Sequence, residues 1–260
     1  MVRAADRAKN PARTSVWMEN KAARQGSARK SEQPAGLDRD RIVRTSIRLL
    51  DTEGLAKFSM RRLAAELQVT AMSVYWYVDT KDDIFELALD TVFGEVELPD
   101  LEDTAQDWRD QLRQLAASYR QVLVGHPWVS PILGNYLNIG PHSLAFSHAV
   151  QQIIRRTGLP TTAVPGAISA VFQFAYGYGT MQGHFTRRVA ESGLTPDEYY
   201  RQVMTLFQEE PQLEQVFDEV KDVLEARGDS TMTEIWDHDF NRALDLLIAG
   251  IEAMKARGAT

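Results

Sequence analysis

The sequence predicts an all-α protein, with an N-terminal three-helix helix-turn-helix unit followed by a larger helical domain. Three observations carry that expectation. Apolar residues recur at helical spacing along most of the chain, no stretch alternates in the manner of a strand, and Ser, Thr or Asp stands where helices should start. The 260 residues suffice for one large or two small domains. A content of 44% hydrophobic and 25% charged residues is ordinary for a chain with a packed core.

Residues 1–36 lack periodicity, are rich in Ala, Arg, Ser, Gly and Pro, and read as a mostly unstructured arm. "TSVWME" (residues 14–19) is the exception, because an isolated Trp17 in a polar tail tends to dock. The arm carries eight basic residues against three acidic ones, on a chain whose net charge is −7. A basic end on an acidic body suits a polyanion at that end, although composition alone favours a solubilising tail. The arm contains no apolar run of signal-peptide length, and no later segment is long and apolar enough to span a bilayer. Cys is absent, which excludes disulfides and thiolate chemistry. The expected setting is the cytoplasm, with no membrane partner.

Between residues 37 and 96, Asp38 is placed to cap a helix whose Ile42, Ser46, Ile47 and Leu50 share one face. Arg41, Arg44 and Arg48 form its solvated side, and Gly54 stands at the C-terminal end. Ser59 opens a second helix, "SMRRLAAEL". After the break "QV", Thr70 caps a third, "AMSVYWYV", of about eight residues. Thr80 and Asp83 form a capping box for a fourth that runs to about Val96.

The segment from residue 97 to 260 is expected to form the larger domain. "WRDQLRQLAASYRQVLVGH" puts Leu112, Leu115, Tyr119 and Val122 on one face. "PWVSPILGNYLNIGPH" is broken by Pro and Gly, and "SLAFSHAVQQIIRRTG" is an amphipathic helix ending at Gly158. A long, nearly apolar helix follows, "AVPGAISAVFQFAYGYGTMQGHFTRRVAES". Thr195, Pro196 and Glu198 open another, and "EEPQLEQVFDEVKDVLEAR" reads as an acidic surface helix. The last, "IWDHDFNRALDLLIAGIEAM", aligns Phe240, Ala243, Leu244, Leu247, Ile248 and Ile251.

Tyr75, Trp76 and Tyr77 are adjacent, and helical neighbours diverge by about 100°, so they cannot all face one core. A short helix joined by a tight turn to the preceding one has the dimensions of a helix-turn-helix, whose second helix enters the major groove. On that reading Thr70, Ala71, Met72 and Ser73 form the tip, and Val74 holds the helix to Leu63 and Leu67. One aromatic turns inward, and the other two lie along the sugar–phosphate walls. Lys81, Arg61 and Arg62 are placed for phosphates.

Residues 37–96, above all "FSMRRLAAELQVTAMSVYWYVDTKDDIFELALD", resemble the DNA-binding head of the TetR (tetracycline repressor) family. From about residue 105, "HPWVSPIL", "GPHSLAFSHAV" and "ISAVFQFAYGYG" resemble its ligand-sensing domain. The resemblance implies DNA contacts at Arg61, Ala71, Ser73, Tyr75, Trp76, Tyr77 and Lys81. It implies a homodimer on a double-stranded operator, released by a small effector. Two departures stand out. Gln68 occupies a turn position where most members have Gly, and is expected at positive φ with strain of about 1 kcal/mol. Ile132-Leu133 and Thr180-Met181 stand where tetracycline repressors place the histidine and acidic residue of a metal–drug site, so no metal or cofactor is expected.

In the long helix, Ala167, Val171, Ala175, Gly179 and Gly183 recur every four residues. Gly within a helix costs about 1 kcal/mol, so this small stripe is expected to meet a partner subunit's helix, with the Phe240–Ile251 stripe beside it. An intramolecular core helix is the alternative. Phe172, Tyr176 and Gln182, with Trp128, Asn135, Asn138, Phe146 and His148, are expected to line an apolar effector cavity. His142 and His148 fall on different sides of a helix and make a weak metal pair. No catalytic motif is present: "GYGTMQG" departs from a dinucleotide fingerprint and follows no strand, so an enzyme is not expected. The competing class is an all-α protein-interaction scaffold with no affinity for DNA.

Overall fold

The computed structural model describes residues 15–18, 37–103, 105–209, 219, 221–222, 228 and 230–258, which form helices, turns and loops and no strand. The head begins with α1 (Arg39–Glu53). The Asp38 carboxylate accepts the Arg41 N–H at 2.6 Å at its start, and Gly54 closes it at φ +78°. The Ser59 hydroxyl caps α2 (Met60–Leu67) by accepting the Arg62 N–H. Gln68 then turns the chain at φ +58°, ψ +40°, the left-handed geometry expected of it. The Thr70 hydroxyl caps α3 (Ala71–Tyr75), and Thr80 with Asp83 completes the capping box of α4 (Lys81–Phe93).

The third helix is shorter than the sequence suggests, five residues in place of about eight. The N–H groups of both Tyr77 and Val78 donate to the Val74 carbonyl, which closes the helix. The chain must then become extended by Thr80, at φ −144°, to cap the next helix. Two demands on Trp76 to Thr80 conflict, and the cap of α4 wins.

The larger part comprises α5 (Trp108–Gly125), α6 (Ser130–Leu133), α7 (Pro141–Arg156), α8 (Val164–Ser192), α9 (Pro196–Glu209) and α10 (Met232–Gly258). The Pro/Gly-rich segment yields only the single turn of α6 and a loop, as its breakers dictate. Most of the expected acidic helix, "EEPQLEQVFDEVKDVLEAR", lies outside the described residues.

One hydrophobic core runs from Leu37 through both parts to Ile251, and α4 threads it. That helix buries Ile84, Phe85, Leu87, Ala88, Leu89, Val92 and Phe93, and each of the side chains larger than alanine is worth about 1.5–3 kcal/mol relative to leaving it exposed. Its buried acids are partnered, as burial requires. Asp90 accepts the Ser143 N–H at 2.9 Å and so caps α7. Glu86 accepts the Ser15 hydroxyl at 2.5 Å. The turn at residues 15–18 therefore docks on the core, but Val16 is the buried anchor and Trp17 is only half-buried.

The small-residue stripe of α8 corrects an expectation. Ala167, Val171, Ala175, Gly179 and Gly183 are all buried within the chain. A β-carbon at Gly179 would lie 3.0 Å from the Arg120 carbonyl oxygen, so the stripe exists to let α5 approach. Phe240, Leu244, Ile248 and Ile251 of α10 are likewise buried in the same chain. The intramolecular alternative accounts for both stripes, because a stripe's composition says how close a neighbour comes and not whose chain it belongs to.

Candidate nucleic-acid interface and effector site

Residues of α3 divide as a groove-reading helix requires. Val74 is fully buried behind Leu63 and Leu67, which fixes the helix on α2. Met72 and Tyr75 are 68% and 41% exposed, a large apolar surface for a soluble tip. Thr70 is exposed and its hydroxyl lies 2.9 Å from that of Ser73, so the cap is held locally while both oxygens stay at the surface. Ala71 and Trp76 are half-buried, the former packed on the core.

The neighbouring cations separate sharply. Arg61 is exposed and makes no hydrogen bond or ion pair among the described residues. Arg62 is tied at 2.6 Å to Glu53 on α1 and at 2.8 Å to Glu66, and these carboxylates raise its pKa further. Arg62 is thus a brace of the head, not a spare phosphate ligand, and Arg48 adds to the brace through Glu66 at 2.7 Å.

Two of the expected DNA contacts have hydrogen-bond partners within the head. The Tyr77 hydroxyl donates to the Leu37 carbonyl at 2.6 Å, and burial pushes its pKa up. It is the aromatic that turns inward, joining the head's third helix to the entry of its first. The Lys81 ammonium donates to the Phe58 carbonyl at 3.1 Å and sits 5.0 Å from the Phe85 ring centroid. The half-buried side chain thus spends one of its ammonium donors, and a ring contact, within the head.

The expected effector residues scatter. Phe146 and Phe172 meet edge-on, ring centroids 5.6 Å apart, with Tyr119 5.0 Å from Phe146 and Phe93 of α4 5.4 Å from it. Tyr176 is close by and donates its hydroxyl to the Ser130 carbonyl at 2.7 Å. The others lie elsewhere. Gln182 accepts from the buried Arg120 at 2.8 Å, Trp128 donates to Asp51 of the head at 2.6 Å, and Asn135 and His148 are exposed. Asn138 serves its own turn at φ +49°, its amide donating to the Leu133 carbonyl at 2.7 Å. Tyr119 and Phe93 complete this ring cluster and are not among the residues the sequence singles out for it. Tyr119 reads as one more core position, and Phe93 belongs by sequence to the head. Tyr119 is buried without a hydrogen bond for its hydroxyl among the described residues, and desolvation pushes its pKa up.

Residues 98–255 match the family model described as "Tetracyclin repressor-like, C-terminal domain", and residues 42–88 match "Bacterial regulatory proteins, tetR family". The chain belongs to the TetR family. It is similar to an HTH-type transcriptional regulator of Saccharopolyspora erythraea, 40% identical over 54% of this chain and 59% of that one. It is 30% identical to the HTH-type transcriptional repressor DrrR1 of Streptomyces coeruleorubidus over 84% of this chain and 78% of that one. Among solved structures, apo ActR of Streptomyces coelicolor superposes with TM-score 0.64 at 25% identity, covering 86% of this chain and 99% of that one. ActR in complex with actinorhodin gives TM-score 0.63 at 26% identity, covering 84% of this chain and 98% of that one.

In this TetR-family chain the residues read against a metal–drug site are Ile132, Leu133, Thr180 and Met181. Ile132 is buried and apolar, and Met181 is 69% exposed. No group of three His, Asp or Glu residues among the described ones is arranged to hold a metal ion. Likewise, no described helix is long and apolar enough to cross a membrane.

Proposed function

We propose that the protein is a homodimeric, ligand-responsive transcriptional repressor that binds a palindromic operator in the cytoplasm. The observation that carries this reading is the uncovered tip of α3: Thr70, Met72 and Tyr75 are exposed, with Ser73 half-buried between them, beside an unengaged Arg61. Met72 and Tyr75 supply apolar contact for thymine methyls, the Thr70 and Ser73 hydroxyls reach base edges or phosphate, and Arg61 takes a phosphate. Family membership favours this over a scaffold that binds only protein, and no catalysis is part of it.

Dimerisation uses the helices expected from sequence but their opposite faces. Met181 of α8 and Leu246 and Met254 of α10 are exposed, Leu246 at 76%. Gly177 and Gly250 have open space beside them. Small and flexible apolar residues on two adjacent helices suit an isologous four-helix contact. Two heads would then address successive major grooves about 34–36 Å apart.

The effector is a small apolar molecule held among Phe93, Tyr119, Phe146 and Phe172. The rings are in mutual contact, so it enters by displacing them, and Phe93 carries that displacement into α4. A helix with one end under the head and one in the site converts occupancy into a change of head spacing. An electrophoretic shift with the DNA upstream of the protein's own gene tests the reading. A salt-sensitive, sequence-specific shift is expected, and its absence favours the scaffold. A melting screen of aromatic compounds identifies the effector by raised apparent stability.

A further inference from the structure

His126 follows α5 and stands at the junction of head and body. Its Nδ1 lies 2.7 Å from a carboxylate oxygen of Asp51 on α1, and its Nε2 lies 2.9 Å from one of Glu95, just past α4. Ionised carboxylates only accept hydrogen bonds, and a neutral imidazole has one N–H. Both contacts can be hydrogen bonds together only when both ring nitrogens carry protons. Trp128 donates at 2.6 Å to the same Asp51 oxygen, which anchors that side independently of the imidazole.

We propose that His126 is a protonation-gated tie between the DNA-binding head and the effector domain. As imidazolium it holds α1 and the end of α4 at once. On losing a proton it keeps the Asp51 contact through Nδ1–H and releases Glu95, whose side chain is 52% exposed and is taken up by water. The asymmetry follows from Trp128, since Asp51 has a second donor and Glu95 does not share it.

The surroundings support the charged state. Burial alone lowers the imidazole pKa, but the two carboxylates outweigh it and hold it above the ordinary histidine value. Around the ring, α1 contributes Asp51 and the stretch after α4 contributes Glu95 and, farther along the same cleft, Glu97. The flanking α5 residues, Gln114 and Gln121, are neutral. Beyond Trp128, the adjoining cleft holds Glu53, His184, Arg187, Arg188 and Glu191, none of which hydrogen-bonds to the imidazole. A raised pKa in the folded state means the tie is fully present below the unfolded histidine value, about 6.5, and fades as pH rises through the folded value.

Any effect of the tie on operator release rests on the repressor reading, but the test does not. Imidazole resonances of the full-length protein are followed by NMR against pH, with His126→Gln identifying the signal. His126 is expected to titrate above about 6.5, and Glu95→Gln is expected to lower that value. In thermal unfolding, wild type should exceed His126→Gln and Glu95→Gln by about 2–4 °C at pH 6; by pH 9 the Glu95→Gln gap should close and the His126→Gln gap should narrow to what the retained Asp51 contact contributes. A His126 signal titrating at or below the ordinary value, or gaps that persist unchanged to pH 9, would overturn the proposal. A protein that titrates as described yet never shifts DNA keeps the tie and loses the repressor.

Discussion

A β-carbon placed on Gly183 would stand 2.9 Å from the carbonyl oxygen of Leu123, closer than real β-carbons approach backbone. Nothing there can yield, because both atoms belong to the packed backbones of α8 and α5. Gly183→Val is therefore expected to destabilise the fold by about 1–3 kcal/mol, read by chemical denaturation. A stability equal to wild type would mean the two helices are farther apart than described.

Gln68 holds left-handed backbone, at φ +58°, which its β-carbon makes unfavourable. The turn itself is fixed by hydrogen bonds from Gln68 N–H to the Ala65 carbonyl and from Val69 N–H to the Ala64 carbonyl. Gln68→Gly should relieve that strain and raise stability by up to about 1 kcal/mol, less the extra entropy of glycine in the unfolded chain. DNA affinity should be unchanged, since Thr70 and α3 keep their places.

Arg61 and Arg62 are neighbours with different employment. Arg61→Ala should lower the salt dependence of DNA binding by about one phosphate contact and leave the melting temperature where it was. Arg62→Ala should lower the melting temperature by freeing Glu53 and leaving Glu66 with Arg48 alone, with a smaller change in salt slope. Identical profiles for the two variants would contradict the division seen in the head.

Leu246 is 76% exposed on α10. Leu246→Glu should convert the protein to a monomer in sedimentation, with helix content retained, because the side chain touches little of its own chain. Operator affinity should fall by at least tenfold, since a single head engages one half-site. A dimer that survives the change would move the interface to another face.

Helix positions were largely legible in the sequence, since they follow from local rules. Asp38, Ser59, Thr70 and Thr80 each cap the helix they precede, and Gln68 takes the strained turn expected of it. The tip of α3 was legible for the same reason: spacing alone turns Val74 inward and leaves Met72 and Tyr75 outside. The aromatic cluster proposed to take the effector was less so. Phe146 and Phe172 were visible as candidates, but Phe93 and Tyr119 join them only because α4 and α5 cross there.

Residue order and helical geometry by themselves determined the class of fold, the caps and the outward edge of the third helix, because these depend on neighbours within about four positions. Tertiary structure alone decided which chain covers the stripe of α8, that Tyr77 and Lys81 serve the head's interior, and that His126 meets Asp51 and Glu95. Those outcomes depend on contacts between residues 23 to 75 positions apart. Such contacts are set by the packing of whole helices, which no local pattern encodes.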